Sequence, residues 1–155
     1  MRIRLRTVSA IAFLALLSAC ASGPKKVINP PKASIQELAV QPDGRWKLTL
    51  RLQNFSNVST RFAAVDAKLY VAGEDAGQVQ ATTDISIGPE SADVVEALLS
   101  PAVGAKVAAA SALASRRGVT YTLTGSIRAT EPKGSWTFTH DSTLDPAPGL
   151  PGVMR

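Results

Sequence analysis

The residue with the most chemical potential is Cys20, the single cysteine of the 155-residue chain. A cysteine thiolate is a strong nucleophile and accepts alkyl and acyl groups. It is preceded by Leu17-Ser18-Ala19, and small side chains at Ser18 and Ala19 suit a peptidase that reads size beside the cleaved bond. With one cysteine there is no intrachain disulfide, so the fold must rest on core packing. The other candidate, His140-Asp141-Ser142, contains the residue types of a hydrolase triad. Consecutive residues on a strand point to opposite faces, however, so these three cannot form the proton relay. No Gly-x-Ser-x-Gly elbow supplies another nucleophile, and His140, the sole histidine, lacks neighbouring ligands at metal-site spacing. The expected catalytic set is empty.

The elements around Cys20 define its setting. Arg2, Arg4 and Arg6 precede an apolar run from Val8 to Leu17. A basic start, a short apolar core and a small-residue cleavage site are the layout of a secretory leader, here residues 1–19. The run is shorter than the roughly 20 apolar residues a membrane-spanning helix needs. Leu17-Ser18-Ala19-Cys20 resembles the lipobox of bacterial lipoproteins. That resemblance implies peptidase recognition through Leu17, Ser18 and Ala19, a diacylglyceryl thioether on Cys20, and N-acylation of the same residue once it becomes the N-terminus. Two or three chains make a lasting anchor where a single one holds marginally. In a Gram-negative cell Ala21, in place of the aspartate that retains such proteins at the inner membrane, implies the periplasmic face of the outer membrane; a Gram-positive or inner-membrane lipoprotein is the alternative. No cofactor is expected beyond the covalent lipid. Asn54-Phe55-Ser56 and Asn57-Val58-Ser59 match the glycosylation pattern, but in a bacterial chain they read as turn residues.

The precursor carries 17 Lys and Arg against 12 Asp and Glu. Three of those cations lie in the leader, so the mature chain carries 14 against 12, a net of about +2. The basic character belongs largely to the leader, and no basic stripe interleaved with aromatics argues for nucleic acid. Residues 20–32, with Ser22-Gly23-Pro24-Lys25-Lys26 and Asn29-Pro30-Pro31, read as a lipidated N-terminus and flexible tether reaching about 35 Å. Lys25 and Lys26 would lie near lipid headgroups.

From Ala33 the hydrophobic period is two. Trp46, Leu48, Leu50 and Leu52 alternate with polar residues, the pattern of a half-buried strand. Ile35, Leu38 and Val40 mark a strand before it, joined through Gln41-Pro42-Asp43-Gly44, where proline presets φ and glycine tolerates φ > 0. Asn54-Phe55-Ser56-Asn57 ends the strand, its amides expected to hold the bend by bonding the backbone. Val65, Ala67, Leu69 and Val71 alternate, while Phe62 is out of phase and predicts a bulge between 62 and 65. Further strands carry Val79, Ala81, Ile85 and Ile87, then Ala92–Leu99, then Tyr121, Leu123 and Ile127, then Trp136 and Phe138. One helix is predicted over 101–117, with Ser100 as N-cap, Pro101 at its first position, and Val103, Val107, Ala110 and Ala114, with Leu113 beside them, as its buried stripe. Gly118 would supply the left-handed cap. About seven short strands argue for a mainly β, antiparallel immunoglobulin-like sandwich over 33–145 with one late helix. The proline- and glycine-rich residues 146–155 read as a disordered tail.

The run Leu48–Asn57, then Val65-Asp66-Ala67-Lys68-Leu69-Tyr70-Val71-Ala72-Gly73, the Gly88-Pro89 break and Tyr121-Thr122-Leu123-Thr124-Gly125-Ser126-Ile127 together resemble the type 2 late embryogenesis abundant family, the water stress and hypersensitive response domain. The likeness covers about Ala33 to Leu144. It departs at Asn54-Phe55-Ser56-Asn57, one residue longer than the family's Asn-Pro-Asn and without its proline. The resemblance implies a fibronectin-like sandwich with one helix and a protective or lipid-handling role without catalysis, in desiccation or osmotic stress. Its partners would be the membrane, through the anchor, and a lipid or envelope protein. Trp46, Trp136 and Phe138 are expected in the core; open on one face, they would line the apolar groove that a lipid-binding module needs.

Overall fold

In the computed structural model, residue 23 and residues 25–155 are described. Leu17, Ser18, Ala19 and Cys20, with the rest of the leader, lie outside the described residues. The first hairpin follows from its turn chemistry. β1 (Lys32–Val40) and β2 (Trp46–Gln53) are joined where Gly44 takes φ 81, its N–H donates to the Gln41 carbonyl, and the Arg45 N–H donates to Asp43 Oδ1 at 3.0 Å. β3 (Thr60–Val71) and β4 (Glu74–Ile87) meet at the two-residue turn Ala72-Gly73, both residues at positive φ. β5 (Ala92–Leu99) precedes α1 (Val103–Ser115), and β6 (Val119–Glu131), β7 (Lys133–Leu144) and β8 (Val153–Met154) complete the chain.

The strands form two four-stranded antiparallel sheets, ordered β5-β2-β1-β8 and β4-β3-β6-β7. Their period-two faces meet in one core that includes Trp46, Leu48, Leu50, Phe62, Leu69, Leu123 and Ile127. All of that buried core lies between Ala33 and Met154. Among the described residues the β-sandwich with one helix is therefore as the sequence predicts, and so is the bulge in β3, where the register slips between Phe62 and Ala64. β1 carries a bulge of its own between Ile35 and Glu37.

Four sequence expectations are corrected. Eight strands are present among the described residues, because residues 146–155 are not a disordered tail. The chain folds back so that Asp145 and Arg155 exchange backbone hydrogen bonds, Leu38 and Ala39 pair with Met154 and Val153, and Arg155 reaches Glu37 at 2.8 Å. Met154 is fully buried, so one apolar side chain fixes a segment that its prolines and glycines would leave open. The helix is shorter than predicted and is capped differently. Ala102 is its N-cap without any side-chain bond, and Arg116, not Gly118, takes the left-handed position at φ 53.

The helix also presents the opposite face. Ala105, Ala109 and Ala112 are buried against the sandwich, chiefly on β4, while Val103 and Val107 are 76% and 63% exposed and Ala110 and Ala114 face solvent beside them. Alanine allows a helix backbone to approach a sheet closely, whereas a valine in that interface would overpack it. Finally, the expected tether is docked against residues 55–57 over Lys25 to Asn29.

Candidate functional site

The turn after β2 is built around a buried amide. Asn54 is 1% exposed, and its Nδ2 donates to the carbonyls of Val58 (2.8 Å), Ile87 (3.1 Å) and Gly88 (2.9 Å). Its Oδ1 accepts from the Ser56 N–H at 3.0 Å and from Thr60 Oγ1 at 3.4 Å. A carboxamide has two N–H donors and one oxygen with two lone pairs, so all of its capacity is used. Asn54 thus holds the bend, as the sequence suggests, and also ties it to the Gly88-Pro89 turn between β4 and β5. On the far side of that turn the Glu90 N–H donates to the Ser56 carbonyl at 3.1 Å.

Asn57 does something else. It is exposed, and its amide binds the segment that leads into β1, not the bend. Its Oδ1 accepts from the Val27 N–H at 2.7 Å, its Nδ2 donates to the Lys25 carbonyl at 2.8 Å, and its own N–H donates to the Val27 carbonyl at 3.2 Å. Ser56 and Asn29 add to the clamp. The Asn29 N–H donates to Ser56 Oγ at 3.0 Å and Asn29 Nδ2 to the Phe55 carbonyl at 2.8 Å. Lys25 to Asn29 therefore lie along Phe55-Ser56-Asn57, a side-chain-mediated substitute for strand pairing. The absence of β-periodicity in 25–29 hid this. Asn29 and Ser56, polar residues flanking a turn, are the sequence signal that could have found it.

The other motif residues also serve the fold. Tyr121 crosses from β6 to the opposite sheet, where its hydroxyl accepts the Ile35 N–H at 3.1 Å. That N–H sits at the β1 bulge, where the ladder is interrupted. Burial pushes the Tyr121 hydroxyl above its ordinary pKa, opposed by this hydrogen bond. Gly125 lies where a Cβ would come within 2.1 Å of the Asp66 carbonyl on β3, so only glycine fits that approach of β6 to β3.

Trp46 is 1% and Phe138 8% exposed, and Trp136 packs half-buried against the same core. Trp46 and Phe138 are thus packed in the core, and Trp136 is partly open at the edge strand β7. Asp141 receives the Thr122 hydroxyl at 2.5 Å, while His140 tilts against the Tyr121 ring at 6.0 Å, so strand alternation separates His140 from its neighbour as expected. Among the described residues no group of three His, Cys, Asp or Glu side chains could hold a metal, and no helix is long and apolar enough to cross a membrane.

No family model matches this chain, and no curated protein does. Among solved structures, an Arabidopsis thaliana protein determined in solution is similar, at 12% identity over 79% of this chain and 80% of that one, with a TM-score of 0.50. The likeness is one of fold. A protein from Archaeoglobus fulgidus aligns at 12% identity over 78% of this chain and 98% of that one, with a TM-score of 0.43. A protein described as a candidate late embryogenesis abundant (LEA) protein aligns at 15% identity over 92% and 87%, with a TM-score of 0.39.

Proposed function

We propose that this chain is a lipid-anchored envelope lipoprotein with a non-catalytic, type 2 late embryogenesis abundant-like sandwich that protects or supports envelope components under water stress. Cys20 carries the lipid, Leu17, Ser18 and Ala19 direct its processing, and Ala21 directs it to the periplasmic face of the outer membrane. The observation that supports this reading best is the use of the motif residues. Asn54, Asn57 and Tyr121 bond backbone groups and Gly125 admits the close approach of β6 to β3, which suits a domain that acts by its surface and its location. Lipid carriage has no comparable support, because Trp46 and Phe138 are packed.

Two measurements test the proposal. Cells fed a palmitate analogue should label the wild-type protein in the membrane fraction, and Cys20→Ser should be unlabelled and keep its leader. An unlabelled, soluble wild type removes the anchor from the proposal. Deleting the gene should lower survival after drying or osmotic shock, and unchanged survival under both removes the protective role.

A further inference from the structure

The clamp on Lys25–Asn29 lies at one particular end of the sandwich, with the Gly88-Pro89 turn and the start of β3. Exposed Val27, Ile28 and Phe55 share that end, and Lys32 stands over the Phe55 ring with its Nζ 6.0 Å from the centroid. Lys25 and Lys26 are exposed beside them. Apolar side chains among cations are the composition of a surface that meets an anionic bilayer, inserting the former and placing the latter at headgroups. Glu90 and Asp93 are the acidic groups on the β5 side of this end, and Asp84 near the start of β3 is paired with Arg61. Glu131 lies opposite Arg61 where β6 ends, and Lys133 follows it in the same turn. Among the described residues, four lysines at this end thus face three carboxylates outside any ion pair.

Chain length supplies the second argument. Five residues separate Cys20 from Lys25, and a fully extended chain covers at most about 17 Å over that span. The end that holds Lys25 is therefore the end an anchor on Cys20 would bring to the bilayer.

We infer that this end of the sandwich, through Val27, Ile28 and Phe55 with Lys25, Lys26 and Lys32, is a docking face for an anionic lipid surface. It rests on the anchoring proposed above for its role in the cell. The face itself is a property of the described residues. A contact of this size is weak in free solution, but an anchor holds it at high effective concentration and turns it into a fixed orientation. The helix then points away from the membrane.

The test uses the chain from Gly23 to Arg155, which contains β1 to β8, α1 and the buried core described above. It should co-sediment with vesicles of phosphatidylglycerol and phosphatidylcholine at low salt and millimolar lipid, and far less with phosphatidylcholine alone. Lys25→Gln with Lys26→Gln should weaken binding roughly 30-fold, about fivefold for each lysine. Ile28→Ser with Phe55→Ser should weaken it by about tenfold or more, from the apolar area lost. Val103→Ser with Val107→Ser, at the opposite end, should leave it unchanged, and a thermal melt confirms that each variant is folded. Absence of binding by the parent chain overturns the inference. So does equal loss in the helix variant, or unchanged binding in both variants of the clamped end. Because this chain lacks Cys20, palmitate labelling fails or succeeds independently of it.

Discussion

The two ends of the sandwich are held by different physics. At the clamped end a buried carboxamide and several polar side chains bond backbone groups that the strands leave unpaired. At the other end, about 25 Å away along the eight residues of β2, an alanine-faced helix covers the core with no capping side chain. Hydrogen bonding to buried groups is asymmetric, since each group left without a partner costs about 1–3 kcal/mol. Packing by small residues is tolerant of loss and intolerant of added volume. The clamped end should therefore fail when atoms are removed, and the helical end when they are added.

Asn54→Ala is expected to have the largest effect, about 3 kcal/mol or more in a urea melt, because three carbonyls and the Ser56 N–H lose a partner together. A loss under about 1 kcal/mol would mean that strand pairing alone sets this end. Ala109→Leu should cost about 2 kcal/mol by overpacking, against about 0.5 kcal/mol or less for Val107→Ser on the outer face. Equal costs would erase the distinction between the faces.

Tyr121 joins the sheets between these ends, and Tyr121→Phe should cost about 1–2 kcal/mol at neutral pH by leaving the Ile35 N–H unbonded. Its raised pKa has a further sign. Above pH 10.0, the ordinary pKa of a tyrosine, the unfolded chain loses this proton before the folded one. The folded state then binds more protons, so stability falls as pH rises. Melts across the alkaline range should show this decline in wild type and less of it in Tyr121→Phe.

Ala72→Asn, which places Asn-Gly in a turn that needs positive φ twice, should stabilise the helical end by about 1 kcal/mol. Asn57→Ala should have the smallest global effect, about 0.5 kcal/mol. Hydrogen exchange at Val27 should nevertheless rise sharply while the Asn54 bend keeps its protection. Protection lost at both would make the clamp and the bend one unit.

The same contrast explains what could be read in advance. Strand periodicity placed Trp46–Gln53 and Val65–Val71 because one face of each is buried and the other is not. In α1 that logic failed, since Val103, Val107, Ala110, Ala114 and Ala105, Ala109, Ala112 are both apolar stripes at helical spacing. Hydrophobicity cannot choose between them; only the depth of the space over β4 does. Asn54 was legible as a turn residue, but its bonds to Ile87 and Gly88 cross more than thirty positions and leave no local signal. The partner of Asn57 is not legible, because the segment it holds has no hydrophobic period. The fold of 146–155 depends on Met154 finding β1, which proline and glycine content does not report.

The pairing of β1 with β8 has a consequence for synthesis and export. The first strand of the sandwich takes its outer neighbour from the last, Leu38 against Met154, and Tyr121 reaches back over 86 positions to Ile35. Contacts this remote in sequence form late. A nascent chain therefore cannot complete this sheet until β8 has been made. For the exported protein proposed here, that delay keeps the chain threadable while its leader is being recognised, and it postpones folding until the far side of the membrane.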